Sequence, residues 1–166
     1  MVTLESLVLC LIPLAVAVDA IGVLPTYLGL TEGLARPVLD RIIWQSMLTA
    51  SVVALLFLYA GEALFGLLDI TQADFMVAGG ALLFVISLSD ILSGQKRQRQ
   101  VEPDTLGAVP LGVPLIVGPA VLTTLILLSH RYGHGPTAMA VALNILLASV
   151  VFRCSGSLNR LLGKFP

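Results

Sequence analysis

Charged side chains are scarce in this sequence, and their scarcity excludes most classes of protein. Only 11% of the 166 residues are Asp, Glu, Lys or Arg, whereas a soluble globular domain carries about 25%. Because 57% of the residues are hydrophobic, too few polar side chains remain to cover a water-soluble body. We therefore predict an all-α, polytopic integral membrane protein whose main partner is the lipid bilayer.

Other absences exclude specific functions. The net charge of −1 and the lack of a basic block exclude a nucleic-acid interface. The two cysteines, Cys10 and Cys154, fit no metal motif and lie in apolar surroundings, where a thiol behaves as a small hydrophobe. Gly133 and Gly135, which flank His134, disfavour a rigid metal site formed by His130 and His134. Lacking a catalytic set and a phosphate loop, the sequence predicts no enzyme, no cofactor and no metal.

The apolar residues form five stretches, which we predict to be transmembrane helices. A helix needs about 20 residues to cross a hydrocarbon core of roughly 30 Å. The fifth stretch is short and reaches that length only by extending at both ends, with Arg153 snorkelling to the interface. The stretches are residues 7–30, 42–60, 75–92, 106–128 and 138–152.

The first stretch holds a single ionisable side chain, Asp19, near its midpoint. A carboxylate at that depth costs about 2.5–3.5 kcal/mol on insertion scales. Pro13, Gly22 and Pro25 surround it and predict an interrupted helix. The predicted spans contain no Lys or Arg that could pair with Asp19, which favours proton or cation chemistry. A structural hydrogen bond between helices is the alternative.

Basic residues predict the orientation, because Lys and Arg concentrate in cytoplasmic loops. If the five spans alternate, eight of the nine basic residues lie on one side. The N-terminus is then outside, and the polar loop of residues 95–105 is cytoplasmic. This loop divides the chain into a first three-helix unit, residues 1–94, and a second, incomplete unit, residues 106–166.

An internal repeat relates the two units. A shift of 97 residues aligns Pro13 with Pro110 and Thr26 with Thr123, so that two interrupted spans running in opposite directions correspond. We predict an inverted three-plus-three repeat that lacks its sixth helix. Paired interrupted segments of this kind mark the binding site of a transporter; kinks made for packing alone are the alternative.

The polar residues near these breaks complete a candidate substrate- or ion-binding site. Thr123 and Thr124 follow the Gly118-Pro119 break, where carbonyls are left free to meet a ligand or a hydroxyl. Asn144 is the amide of the fifth span, where hydrogen bonding between helices is the commoner role. The candidates are Asp19, Gly22, Pro25, Thr26, Pro114, Gly118, Pro119, Thr123, Thr124 and Asn144.

Three runs of residues carry a family resemblance: DAIGVLPTY at residues 19–27, AGGALLF at 78–84 and VPLGVPLIVGPAVLTT at 109–124. They resemble motifs of the MarC family of bacterial integral membrane proteins, itself similar to the amino-acid exporters of the LysE superfamily. Ala20, Val23 and Ala120 depart from the Pro, Asn and Gly of those motifs. The family has six spans, and the sixth would begin where this chain ends.

The resemblance implies a location in the bacterial inner membrane and a role in export. The leading hypothesis is a secondary transporter of small polar molecules, with an unknown substrate bound between the first and fourth spans. The alternative is an accessory or structural subunit that does not transport. A second copy of the chain or a larger membrane complex would then cover the groove of the sixth helix.

Overall fold

The computed structural model describes residues 3–93, 112–113 and 115–161, and the structural statements below concern those residues. The described part of the chain is all-helical and contains no strand. The predicted site residue Pro114 and the predicted loop of residues 95–105 lie outside it. The helices are α1, Leu4–Val18; α2, Ala20–Leu30; α3, Arg36–Leu68; α4, Gln72–Ser93; α5, Pro119–Tyr132; and α6, His134–Leu161.

Local sequence signals account for several helix ends. A capping box formed by Thr3 and Ser6 begins α1, and it satisfies N–H groups that have no partner within the helix. Thr71 and Asp74 form the equivalent contact at the start of α4, where Asp74 Oδ2 accepts the Thr71 N–H (2.8 Å) and hydroxyl (2.6 Å). These two hydrogen bonds lower the pKa of the Asp74 carboxyl. Asp69 ends α3 in the left-handed conformation, at φ 51°.

Three helical segments in the described part of the chain are long and apolar enough to cross a membrane. They are Leu4–Leu30, which joins α1 and α2, Arg36–Leu68 and His134–Ser155. The predicted extension of the fifth span beyond residues 138–152 is confirmed at both ends of α6. Hydropathy marks the part of a helix that matches the hydrocarbon, whereas its backbone hydrogen bonds continue through the interfacial residues.

Contacts along α6 show that it runs parallel to α1 and α2. Asn144, in the middle of α6, donates to the carbonyl of Leu11 on α1 (3.1 Å). Closer to the C-terminal ends of α2 and α6, the ring of Tyr27 on α2 stacks on Phe152 of α6, with centroids 4.7 Å apart. The span formed by α1 and α2 therefore runs in the same direction as α6, from one end of the bundle to the other.

Contacts of α3 show that it runs in the opposite direction. Asp40, in its second turn, lies 3.7 Å from Arg153 near the end of α6. Glu62, close to its other end, lies 2.5 Å from His130 in the last turn of α5. We call these two ends of the bundle the Arg153 end and the His130 end.

The core lies where α1, α3, α5 and α6 face one another. Leu14, Ile42, Leu125 and Val141 are all less than 2% exposed. The outward faces are equally apolar, with Trp44 on α3 among their exposed side chains. This pattern suits a bundle surrounded by lipid, whose helices associate through close packing and not through exclusion of water.

Candidate functional site

Asp19 itself breaks the first span. Its backbone is left-handed, at φ 42° and ψ 54°, a conformation that Asp tolerates better than most residues. Its N–H ends α1 by donating to the Ala15 carbonyl (3.1 Å). Its carboxylate Oδ1 begins α2 by accepting the Gly22 N–H (3.1 Å), and its carbonyl accepts the Val23 N–H (3.0 Å). Asp19 is thus both the C-cap of α1 and the N-cap of α2.

The break lies near the middle of the span. At 1.5 Å per residue, Asp19 is about 22 Å along the helix from Leu4 and about 17 Å from Leu30. The predicted interruption is therefore present, but it is made by the aspartate. Pro13 and Pro25, on which that prediction partly rested, lie inside α1 and α2.

Gly22 leaves the space that the Asp19 carboxylate occupies. A Cβ at this position would collide with the Asp19 carboxylate group. A residue with a side chain at position 22 would therefore force the carboxylate away from the N–H it accepts. Asp19 and Gly22 act as one unit, and the Asp-x-x-Gly spacing is the sequence signal for it.

The exposed face of α2 differs from that of α1. The residues exposed along α2 and at its N-cap are Asp19, Ile21, Gly22, Pro25, Thr26 and Gly29. Among them, Ile21 is the one large apolar side chain. On α1 the corresponding positions are large and apolar: Val8, Ile12 and Val16 are 46%, 59% and 75% exposed. Four of the predicted site residues therefore share one outward-facing surface, which we call the α2 face.

The fourth predicted span is interrupted too. Before the break, the Val117 N–H donates to the Gly112 carbonyl (3.2 Å), the wider spacing of a π-type turn. Gly118 is extended, and α5 begins at Pro119 with no side chain capping its first turn. α1 packs against α5, so the first and fourth predicted spans are neighbours in the bundle.

The threonines after this break bond back to their own helix. The Thr123 hydroxyl donates to the carbonyls of Pro119 (3.0 Å) and Ala120 (3.1 Å), and the Thr124 hydroxyl donates to Ala120 (2.7 Å). Thr123 is buried. Both hydroxyls satisfy carbonyls near the break, which is the common behaviour of threonine in helices.

Asn144 makes a hydrogen bond between helices, which is the common role of an amide within a membrane span. It is 3% exposed, and its Nδ2 donates to Leu11 O on α1 (3.1 Å) and to Ala140 O on α6 (3.0 Å). The side chain therefore joins the first and last described helices. It is a contact between helices within the core, away from the α2 face.

Comparison with known proteins places these features in a family. The model of the MarC family, described as a family of integral membrane proteins, matches residues 4–165. The chain belongs to the MarC family. No solved structure matches it.

Several curated relatives of this MarC chain are named only as UPF0056 membrane proteins. One from Buchnera aphidicola subsp. Baizongia pistaciae is 32% identical, covering 96% of this chain and 89% of the relative. The inner membrane protein YhgN of Escherichia coli K12 is 30% identical, covering 91% and 79%. A relative from Methanocaldococcus jannaschii is 34% identical, covering 84% and 65%. The family resemblance is confirmed, and an inner membrane protein is among the relatives.

The structure separates the predicted site residues, with Gly118, Pro119 and Thr124 partly exposed around the start of α5. Asp19, Gly22, Pro25 and Thr26 share the α2 face, whereas Thr123 and Asn144 are buried on α5 and α6. Sequence reasoning missed the pair of Glu62 and His130. We found no sequence signal for that contact, because each residue alone is an ordinary polar group near the end of a span.

Proposed function

We propose that this MarC protein is a secondary transporter that exports small polar molecules across the inner membrane. Asp19 is the binding site for the coupling proton or cation. The observation that carries the proposal is the break at Asp19. There a carboxylate near mid-span is exposed and is placed between the ends of two half-helices.

The electrostatics of the break suit a reversible cation or proton site. The N-terminus of α2 and the Gly22 N–H favour negative charge on Asp19. The C-terminus of α1 lies on the other side of the same residue, and its carbonyls carry the opposite partial charge. A proton or small cation bound there would neutralise the carboxylate. Such broken helices form the ion and substrate sites of many transporters.

The composition of the α2 face supports a pathway beside Asp19. Gly22, Thr26 and Gly29 are small or polar, unlike the large apolar side chains that α1 exposes. Small and polar residues on an exposed helix surface allow a close approach by a solute or by another helix. We place the substrate between this surface and the interrupted segment before α5.

The wider architecture belongs to the same proposal. Five spans would form an inverted three-plus-three repeat without its sixth helix, and no catalytic step is involved. The opposite directions of α1 and α3, and the parallel directions of α3 and α5, agree with alternating spans. The N-terminus would be outside and the loop of residues 95–105 cytoplasmic.

The experiment is a flux assay that compares the wild type with Asp19→Asn, a variant that removes the negative charge and keeps the shape of the side chain. The full chain is reconstituted in vesicles that carry an internal pH dye and a pH gradient. Small polar solutes are then added singly. Asn also tolerates the left-handed conformation and caps helices, so Asp19→Asn should fold normally. We expect it to abolish a solute-dependent collapse of the gradient that the wild type shows.

Asp69→Asn is the matched control, because Asp69 is the other left-handed aspartate among the described residues. It should transport like the wild type. Equal flux in Asp19→Asn would remove Asp19 from the mechanism. If no solute moves at all, the accessory-subunit alternative gains, and the bonds of Thr123 and Thr124 to their own helix already favour such a static role.

A further inference from the structure

Two rows of exposed side chains meet at the Arg153 end of the bundle. On α6 the row is Leu143, Leu146, Val150 and Arg153; on α3 it is Leu48, Trp44, Asp40 and Arg36. The members of each row are three or four residues apart and therefore lie on one face of their helix. The rows meet where Arg153 Nε lies 3.7 Å from Asp40 Oδ1. Because α3 and α6 are antiparallel neighbours, both rows run from this contact toward the middle of the bundle.

Four of these residues, Arg36, Asp40, Trp44 and Arg153, form what we call the Arg153 surface. Trp44 is 67% exposed, and tryptophan rings are enriched where the hydrocarbon meets the headgroups. At 1.5 Å per residue, Asp40 lies about 6 Å and Arg36 about 12 Å farther out along α3 than Trp44. The headgroup layer is about 5–8 Å thick on each side of the bilayer. With the indole at the edge of the hydrocarbon, the Asp40–Arg153 contact therefore lies at the depth of the lipid phosphates.

The Arg153 guanidinium has hydrogen-bonding capacity that its contact with Asp40 does not use. A separation of 3.7 Å is longer than a hydrogen bond, so the N–H donors of Arg153 are available to another acceptor. The guanidinium is planar and matches the oxygens of a phosphate with two parallel hydrogen bonds. At this depth the anionic acceptors that the bilayer supplies are the lipid phosphates.

The net charge at this end of the bundle is positive. In the described part of the chain, the charged side chains there are Glu32, Arg36, Asp40, Arg41 and Arg153, three positive and two negative. Even with Asp40 beside Arg153, one positive charge remains in excess. A zwitterionic headgroup carries its own cation, which this excess repels, whereas an anionic headgroup carries none. The charges therefore favour an anionic lipid.

We propose that the Arg153 surface is a binding site for a phospholipid with an anionic headgroup. The lipid phosphate binds the Arg153 guanidinium, the ring of Trp44 packs against the glycerol region, and the acyl chains lie along the apolar parts of the two rows. Basic surfaces between membrane helices bind anionic headgroups through the same chemistry. The site requires only a membrane-embedded chain, so the inference is independent of the transport proposal.

The test uses Trp44 as its reporter, because it is the only tryptophan of the chain. The full chain is reconstituted in vesicles that mix phosphatidylglycerol with phosphatidylcholine in varied proportions. The acyl chains of one lipid or of the other are brominated, since bromine quenches tryptophan fluorescence on contact. We expect the affinity beside Trp44 to be about fivefold higher for phosphatidylglycerol, the contribution of one net positive charge at a membrane surface. Both leaflets contain both lipids, so the result does not depend on the orientation of the chain.

Substitutions locate the preference. Arg153→Gln should remove it, because it removes the positive charge in excess, whereas Arg153→Lys should keep most of it. Arg131→Gln is the matched control, since it removes a guanidinium at the opposite end of the bundle, and it should keep the wild-type preference. Trp44→Phe combined with Leu67→Trp moves the reporter to an exposed position near the other end of α3. There the two lipids should quench equally.

Equal affinities for the two lipids beside Trp44, or a preference that survives in Arg153→Gln, would overturn the proposal. An equal preference at Leu67→Trp would also overturn it, because the lipid would then respond to general surface charge and not to a site. Sodium phosphate in place of sodium chloride at the same ionic strength should leave the preference unchanged. A loss in phosphate alone would assign the Arg153 surface to a soluble phosphate compound instead of a lipid.

Discussion

The pairing of Asp19 with Gly22 decides how the first span is built. The aspartate supplies a left-handed turn and a cap, and the glycine supplies the room that this cap needs. The sequence alone predicted a break from nearby prolines and glycine. It did not identify the aspartate as its cause, since a lone acid in an apolar run also suits a binding role in an intact helix.

Gly22→Ala should destabilise the protein by about 0.5–2 kcal/mol, the usual cost of losing a helix cap. The added Cβ would push the Asp19 carboxylate off the Gly22 N–H. Thermal unfolding in detergent, followed by circular dichroism, measures the effect. Gly29→Ala is the matched control: a Cβ there meets no atom within 4 Å, and Ala stabilises a helix interior relative to Gly by about 0.5–1 kcal/mol. A stable Gly22→Ala would show that the cap contributes little.

Among the helices, α6 shows most clearly what hydropathy does and does not predict. The apolar run of residues 138–152 predicted its position, and the need to cross the bilayer predicted that the helix continues into polar residues on both sides, as it does. The partners of α6 could not be predicted. In lipid, the buried and the outward faces are both apolar, so the periodicity that identifies a core in a soluble protein carries little information here.

Asn144 adds a hydrogen bond to the packing of α6 against α1. Asn144→Ala should cost about 0.6 kcal/mol and no more than about 1.7 kcal/mol, the average and the largest value measured for hydrogen bonds between membrane helices. Reversible unfolding in mixed micelles would provide the value. Leu147→Ala changes an exposed side chain of the same helix and should cost less. If the two variants are equally stable, the hydrogen bond to the Leu11 carbonyl adds nothing beyond packing.

In the molecule as a whole, α3 runs opposite to α1 and α6, as alternating spans require, while the count of five spans stays a prediction. The distribution of Lys and Arg predicted alternating spans, and the structure places Arg36, Arg41 and Arg153 together at one end, with Arg131 at the other. In each of the two ion pairs, Glu62–His130 and Asp40–Arg153, the partners are more than 65 residues apart in sequence. No local pattern encodes a contact of that kind.

The orientation in the membrane can be tested with single cysteines in a chain lacking Cys10 and Cys154. Thr71→Cys, beside α4, should react with a membrane-impermeant maleimide added to intact cells. Glu32→Cys, in the turn between α2 and α3 at the opposite end, should react only after the cells are opened. Both residues are exposed, so poor access does not account for a missing signal. The reverse pattern would invert the proposed topology.

The depth of the break has an electrical consequence. A cation that reaches Asp19 from the outer face crosses about half of the transmembrane voltage. One full charge is worth about 2.3 kcal/mol per 100 mV, so half that distance is worth about 1.1 kcal/mol, or roughly a sixfold change in apparent affinity. An interior-negative voltage of 100 mV, imposed by a potassium gradient and valinomycin, should therefore raise the apparent affinity of Asp19 for a proton from the outer face about sixfold. A voltage-independent affinity would mean that Asp19 is reached without crossing the field.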